Sequence, residues 1–384
     1  MAPAWTAQAA TSLLAPSVPL QVTSAAFDSG AVVYWNHPGD HGVTGFTVTG
    51  TPGGTATVGG GVRQATVSGL TNSTAYTFTV HATNSHGSSA ESAASGANTP
   101  LANLIFGDDF NGPAGPGITG LSPCWQILTR NGDQTNSESQ WYRPSQVALD
   151  GAGNVTITAV ASSITASQYQ DSTPGANPPY SGGANLTLAH QSGAIQWAWP
   201  GAMATGSGSA QAVSQFTQPG FNFTYGKVQV RAIVPQIAGT FPAGGWPAIW
   251  MMGANCAQTN PYDANNVGAC SWPNAGSEEI DVAQWPGAGV SLPNAVYIYG
   301  AGNNGSPNYP TAPTTPFTAY NTYETDWSAG LVGWALNGSA MASINWTTAV
   351  ASTPMFLILQ TAIRGATALT QPVLTVDWVR VFHN

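Results

Sequence analysis

The sequence consists almost entirely of short runs in which apolar and polar residues alternate. Examples are AVVYWNHP at residues 31–38, AYTFTVHATN at 75–84 and YGKVQVRAIV at 225–234. A period of two is typical of strands that bury one face, and no segment shows the longer period of an amphipathic helix. The 45 glycines and 28 prolines supply the turns that so many short strands need. We therefore predict an all-β fold.

Charged side chains are scarce: they make up 6% of the 384 residues, and the net charge is −9. Lys227 is the single lysine. Nucleic acids and anionic membranes are bound through clustered Lys and Arg, so neither is an expected partner. No apolar run is long enough for membrane insertion. We expect a monomer.

The N-terminus and the cysteines indicate whether the protein is extracellular. Residues 1–16 form a tail that lacks the basic start and sustained apolar region of a signal peptide. We predict an extracellular protein whose signal was removed from this sequence, or which is exported by another route such as a virus particle. Cys256 and Cys270, with 13 residues of turn-rich sequence between them, are predicted to form a disulfide, and Cys124 to be buried and unpaired.

Residues 17–99 form the first of two modules. Trp35 stands where a seven-strand sandwich has its core tryptophan, and Leu70 and Tyr76 have the spacing of a tyrosine corner. The module resembles a fibronectin type III domain, an immunoglobulin-like sandwich. We expect it to act as a spacer or a weak adhesion module. The segment SGANTPLA, residues 95–102, is predicted to be a linker.

Residues 100–384 form the second module, which is predicted to be a large two-sheet sandwich. Its only histidines are His190 and His383, and it has no G-x-S-x-G motif, phosphate-binding glycine loop or dinucleotide fingerprint. Nucleophilic serine or cysteine chemistry, phosphoryl transfer and hydride transfer are therefore weakly supported. Carboxylate chemistry is what remains.

A dense group of acids lies in GSEEIDVAQW, residues 276–285. In a strand, Glu279 and Asp281 point to one face, where they repel each other unless they share a proton or a hydrogen bond. Such a pair is typical of a function that needs a carboxylate with a shifted pKa. Gln284 falls on the opposite face under strict alternation. A β-bulge around residues 282–283 would return it to the side of the acids.

This stretch resembles the active-site strand of glycoside hydrolase family 16, the retaining endo-β-glucanases and galactanases built on a concanavalin-like β-jelly roll. Glu279-Ile-Asp281-Val-Ala-Gln284 follows the bulged Glu-x-Asp-x-x-Glu form of the laminarinase-like members, with glutamine in place of the last acid. Further blocks resemble family strands in the same order: FTYGKVQVRAIVP (223–235), GGWPAIWMMG (244–253), TYETDWSAGLVGWALNG (322–338) and VDWVRVF (376–382).

The resemblance implies a role for each position. Glu279 would be the nucleophile that forms a glycosyl-enzyme intermediate, and Asp281 would hydrogen-bond it and tune its protonation. Gln284 occupies the place of the general acid/base. Aromatic rings stack on sugar faces, and an amide contacts hydroxyl groups. The expected substrate-binding residues are Trp246, Trp250, Trp285, Tyr297, Tyr299 and Gln360.

Glutamine at position 284 changes the expected activity. An amide cannot protonate a leaving group or deprotonate water, and general acid–base catalysis typically contributes about 10²–10⁴-fold. The chain is therefore expected to hydrolyse its substrate very slowly or not at all. Two explanations remain open: a deliberate substitution in an otherwise active enzyme, or a catalytically silent carbohydrate-binding relative. Proton supply by Glu278 or Asp326 is disfavoured, because neither matches the family position.

The bulged motif implies a neutral β-linked polysaccharide, with β-1,3-glucan first and galactan as the alternative. Two departures from the family pattern concern the substrate. Tyr297 and Tyr299 lie in a segment without the histidine that many glucanases carry, and Gln360 stands where asparagine is frequent. The few Arg and Lys side chains make a sulfated galactan a less expected substrate than a neutral polymer.

Some family members hold a structural calcium ion. Asp377, in VDWVRV, matches the position of its side-chain ligand, and main-chain oxygens near DDFNG at residues 108–112 would complete an oxygen-only site. An ion pair between Asp377 and Arg380 is the alternative. No organic cofactor is expected.

Overall fold

A computed structural model describes most of the chain, and within the described part it contains strands and short 3-10 turns but no α-helix. None of its helical turns has the length and apolar character of a membrane span. The described residues are 14–116, 121–128, 137–167, 185–197, 221–234, 244–254, 276–285, 294–299, 303–305, 316–345, 352–365 and 372–384.

The first module is a β-sandwich whose strands form two sheets. The strands are β1 Leu20–Phe27, β2 Gly30–Asn36, β3 Gly45–Thr51, β4 Thr55–Gly59, β5 Gln64–Ser68, β6 Thr77–Asn84 and β7 Gly87–Ser88. One sheet has the order β4-β3-β6-β7, and β1, β2 and β5 lie in the other. Trp35 is fully buried in the core between them. The Tyr76 hydroxyl accepts the Thr71 N–H at 3.0 Å, which closes the predicted tyrosine corner.

The second module is a larger sandwich of two stacked sheets. Its first strands are β8 Leu104–Asp108, β9 Gly115–Pro116, β10 Trp125–Ile127, β11 Gln140–Tyr142, β12 Val147–Leu149, β13 Val155–Val160, β14 Ile164–Ser167, β15 Asn185–Leu188, β16 His190–Ser192 and β17 Ala194–Trp197. The remaining strands are β18 Gly226–Ile233, β19 Gly245–Gly253, β20 Glu279–Gln284, β21 Asn294–Tyr299, β22 Asn303–Gly305, β23 Asn321–Ser328, β24 Leu331–Leu336, β25 Ser339–Asn345, β26 Met355–Ile363 and β27 Val373–Phe382.

The core of this module lies between a back sheet and a front sheet. The back sheet contains β25-β24-β23-β18-β27-β8, and the front sheet has the order β10-β17-β26-β19-β20-β21-β22. On β18, the buried residues Val228, Val230 and Ala232 alternate with half-exposed ones, which is why this strand shows a period of two. By contrast, every residue of β26 is buried, so its sequence is continuously apolar except for an amide and a hydroxyl. The predicted all-β fold is confirmed.

The two modules share the back sheet. Ala26 of β1 pairs with Gly107 of β8, so the order of the back sheet continues through β8 into β1, β2 and β5. The hydroxyl of Tyr34 lies 3.2 Å from the sulfur of Cys124, and both residues belong to the core cluster of the second module. Cys124 is a free, buried thiol, as predicted.

The segment predicted to be a linker is packed against the first module. Asn98 forms a β-bridge with Tyr76, and its side-chain amide donates to the Ser24 carbonyl at 2.7 Å. Ser95 is buried, and its hydroxyl accepts the Phe78 N–H at 3.0 Å. The turn-forming composition was therefore misleading, because these polar residues satisfy buried backbone groups rather than solvent-exposed ones.

Candidate active site

A β-bulge in β20 brings the acidic pair and the amide to one face of the front sheet. Asp281 is opposite Trp250 and Gln284 is opposite Ala248, with a register shift between them. The partner strand β21 shows the shift at the same place. Directly opposed residues on neighbouring strands share a face, and Ala248 and Trp250 share one on β19. We call this side of the front sheet the cleft face.

The other face of β20 packs against the back sheet. Trp285, which directly follows Gln284, is fully buried and meets the ring of Tyr323 on β23 edge-on, at 5.3 Å between centroids. The prediction of Trp285 as a substrate-binding residue is therefore wrong. The bulge that turns Gln284 to the cleft face leaves its neighbour facing the core.

Asp281 links the other two polar residues of β20. Its Oδ2 accepts the Gln284 Nε2–H at 2.6 Å, and its carboxyl group hydrogen-bonds Glu279. Burial raises the pKa of Asp281 well above its usual range, and the Glu279 charge and hydrogen bond raise it further. A protonated Asp281 can donate to Glu279 while accepting from Gln284. Glu279 is half-buried and can then hold the negative charge of the pair.

Trp246 holds the oxygen atom of the Gln284 amide. Its indole N–H donates to Gln284 Oε1 at 2.7 Å. Because an indole nitrogen is only a donor, this contact orients the amide and leaves Nε2 for Asp281. The half-buried Trp246 ring also lies 5.4 Å from the guanidinium carbon of Arg364. The tryptophan predicted as a sugar platform is a hydrogen-bond donor to the amide, and its contact with sugar stays a prediction.

The other predicted binding residues are distributed as follows. Gln360, on β26, lies opposite Ala248 of β19, so it shares the cleft face with Gln284. Trp250 is on the same face, but only 4% of it is exposed. Tyr297 and Tyr299 belong to β21, where Tyr297 is opposite Ile280, and their side chains lie outside the described residues. Cys256 and Cys270 also lie outside them, so the disulfide stays a prediction.

The sequence reasoning missed a polar group beside Gln360. Glu138 Oε2 accepts the Gln140 Nε2–H at 2.6 Å and lies 3.3 Å from the Tyr142 hydroxyl. That hydroxyl lies 3.2 Å from Gln360 Oε1. All four residues are buried. A signal was present, because ESQWY places Glu138, Gln140 and Tyr142 two apart, as an extended segment with one polar face would.

The alternative proton donors are placed elsewhere. Glu278 is buried, its Oε2 accepts the Gly276 N–H at 2.8 Å, and burial raises the pKa of its carboxyl group. Asp326 is exposed on β23, opposite Lys227 in the back sheet. Neither residue is on the cleft face.

The predicted calcium ligand has a cationic partner. The Asp377 carboxylate forms an ion pair with Arg231, and the predicted alternative partner, Arg380, instead pairs with Asp109 at 3.3 Å. Among the residues that the structure describes, no group of three or more acidic, histidine or cysteine side chains could hold a metal ion. The predicted site combines this one carboxylate with main-chain oxygens, so the calcium ion stays a prediction, with Arg231 as the present partner of Asp377.

Comparison with known proteins decides the family. The model of glycosyl hydrolases family 16 matches residues 169–380, more than half of the chain. The chain belongs to this family. The fibronectin type III domain model matches residues 14–97, which confirms the nature of the first module. No curated protein matches the sequence.

Several solved structures share the fold of the second module in this family 16 protein. LamA from Z. galactanivorans, in complex with laminaritriose and laminaritetraose, is 21% identical with a TM-score of 0.53, over 73% of this chain and 99% of that one. The catalytic domain of an endo-1,3-beta-glucanase (laminarinase) from Thermotoga petrophila is 19% identical, with a TM-score of 0.50, over 73% and 97%. An endo-beta-1,3-glucanase from Pyrococcus furiosus gives 19% and 0.50, over 73% and 94%. At these identities the likeness establishes the fold.

Proposed function

We propose that this family 16 protein binds a neutral β-1,3-glucan on the cleft face and has the residues of a retaining endo-hydrolase except for its acid/base. The observation that carries the proposal is the position of Gln284, whose amide accepts from Trp246 and donates to Asp281 beside Glu279. The laminarinases among the structural neighbours support the choice of β-1,3-glucan over galactan.

In this mechanism Glu279 attacks the anomeric carbon and the glycosidic bond breaks, leaving the sugar esterified to the carboxylate. Asp281 keeps the proton that the pair shares, because burial and the neighbouring charge raise its pKa. Glu279 therefore stays anionic and nucleophilic. The leaving oxygen needs a proton that the Gln284 amide cannot give, so a polysaccharide is bound but cleaved very slowly.

An activated substrate separates the role of Glu279 from the missing acid. A 2,4-dinitrophenyl β-laminaribioside needs no protonation to leave, so the chain should release dinitrophenolate in a burst and retain a glycosyl ester on Glu279, detectable by peptide mass spectrometry. Azide should release the sugar as the β-glycosyl azide. The Glu279→Ala variant is the control, and a burst of equal size in that variant would contradict the proposed nucleophile.

The Gln284→Glu substitution tests the acid/base position. Gln284→Glu should raise laminarin hydrolysis by about 10²–10⁴-fold, the usual contribution of acid–base catalysis. The second candidate function, a silent carbohydrate-binding protein, is favoured by the fixed hydrogen bonds of the Gln284 amide. Laminarin binding without hydrolysis in the Gln284→Glu variant would support that candidate.

A further inference from the structure

Arg364 lies on the cleft face, directly after the last residue of β26. Its backbone N–H donates to the Gly244 carbonyl at 2.9 Å, so the pairing of β26 with β19 continues for one more residue. Gln360 is on the cleft face, and side chains alternate along an extended segment, so Arg364 points to the same side. Unlike Gln360, which is buried, Arg364 is exposed.

The side chain of Arg364 lies over the indole ring of Trp246. Its guanidinium carbon is 5.4 Å from the centre of that ring, and the indole N–H donates to Gln284 Oε1 at 2.7 Å. The guanidinium and the amide at the acid/base position therefore contact the same half-buried ring. A cation over the face of an indole is attracted by the ring, so the guanidinium is held beside this position.

Three other arginines also lie over aromatic rings, but their donors meet acceptors of the protein. Arg231 and Arg380 each form an ion pair with an aspartate, and Arg63 donates to two main-chain carbonyls. Within the part of the chain that the structure describes, no acceptor takes a hydrogen bond from the guanidinium of Arg364. Its N–H donors are therefore available to a ligand on the cleft face.

We propose that Arg364 is a substrate-binding residue whose guanidinium donates two parallel hydrogen bonds to neighbouring hydroxyl oxygens of one sugar unit. The inference rests on the proposed function, because it adds a contact in the same cleft. A neutral glucan offers hydroxyl oxygens and no charged group, and a guanidinium presents pairs of parallel N–H groups. Because Trp246 already holds this fork, less side-chain entropy is lost when a sugar binds.

Titration calorimetry with laminaritetraose measures this contact. Arg364→Ala should weaken binding by about 5- to 30-fold, the size expected for one or two hydrogen bonds lost from a charged donor at an exposed place. Arg364→Lys keeps the charge but loses the planar fork, so it should also bind more weakly than the unmodified chain. Arg63→Ala is the matched control: it removes a stacked arginine of the first module and should leave affinity unchanged.

The Trp246→Phe variant separates direct contact with the sugar from an effect through the indole. This variant keeps an aromatic ring but loses the N–H that donates to Gln284. Arg364→Ala should still weaken binding in the Trp246→Phe background, because the guanidinium itself contacts the sugar. A loss that disappears in this background would show that Arg364 only orients Trp246, and would overturn the proposed contact.

The remaining outcomes distinguish this inference from the proposed function. If the unmodified chain binds laminaritetraose and Arg364→Ala binds it equally well, the contact is refuted and the proposed function stands. Full affinity in Arg364→Lys would refute the paired hydrogen bonds. If the unmodified chain binds no laminaritetraose, the proposed β-1,3-glucan function and this inference both fail. Because Arg364 is exposed, both variants should fold, which thermal unfolding checks.

Discussion

Asp108, at the end of β8, should make the stability of the chain fall as pH rises. Its Oδ1 accepts the Phe110 N–H at 2.9 Å and its Oδ2 accepts the Trp125 indole N–H at 2.9 Å. The residue lines a small cavity between the modules together with Thr23 and Asn98. Burial raises the pKa of Asp108 from 3.8 to about 6, despite both hydrogen bonds.

The magnitude follows from this shift. A difference of about two pKa units between the unfolded and folded states corresponds to about 3 kcal/mol. Because the folded pKa is the higher one, the protonated form stabilises the fold. This contribution is complete below the unfolded pKa of 3.8 and is lost as pH rises to about 6 and beyond.

Asp108→Asn provides the test because asparagine does not titrate. It can accept only one of the two donors, so it carries a constant penalty of about 1–3 kcal/mol for an unsatisfied N–H. Urea unfolding of both proteins between about pH 4 and pH 7.5 should show the free-energy difference changing by about 3 kcal/mol in favour of the variant as pH rises. Two parallel stability profiles would refute the assignment of a raised pKa to Asp108.

Three further predictions follow from the geometry. Deletion of residues 1–99 should lower the melting temperature of the second module, because it removes Tyr34 from its core; an unchanged value by calorimetry would mean that the shared sheet contributes nothing. Deletion of Val282 should remove the bulge and leave Gln284 two positions after Asp281 on the same face, so laminaritetraose binding should be retained while β19 and β20 stay paired, and loss of binding in calorimetry would contradict this. EDTA should leave the melting temperature unchanged, because Arg231 already neutralises Asp377, and a clear drop would support the calcium prediction.

The strand content and the two modules were predictable because both depend on local sequence. The alternation of apolar and polar residues along β18 indicates one buried face, and the spacing of Leu70 and Tyr76 indicates a local turn. The bulge was also predictable, because strict alternation would place Gln284 on the face opposite Glu279 and Asp281. In each case the information lies within about ten residues of chain.

What the sequence did not predict depends on contacts between distant residues. Glu138 and Gln360 are brought together by sheet packing, and no local pattern links them. Trp285 looked like a cleft residue because it follows the motif, and only the packing of Tyr323 shows that it faces the core. The packed segment around Asn98 failed as a linker for the same reason, since its partners are earlier strands.

The hydrogen bonds around Gln284 bear on the proposal that one side chain separates sugar binding from hydrolysis. A glutamate there would keep the Trp246 contact, because either carboxylate oxygen accepts an indole N–H. At the 2.6 Å distance that now joins Gln284 to Asp281, two carboxylates could not both be ionised. They would share a proton, and Glu279 nearby would disfavour a second charge further, so a neutral acid would be available to the leaving oxygen. In the proposed function, the Gln284 amide lies where that acid would be and lacks its proton, so the sugar is bound and the leaving oxygen is not protonated.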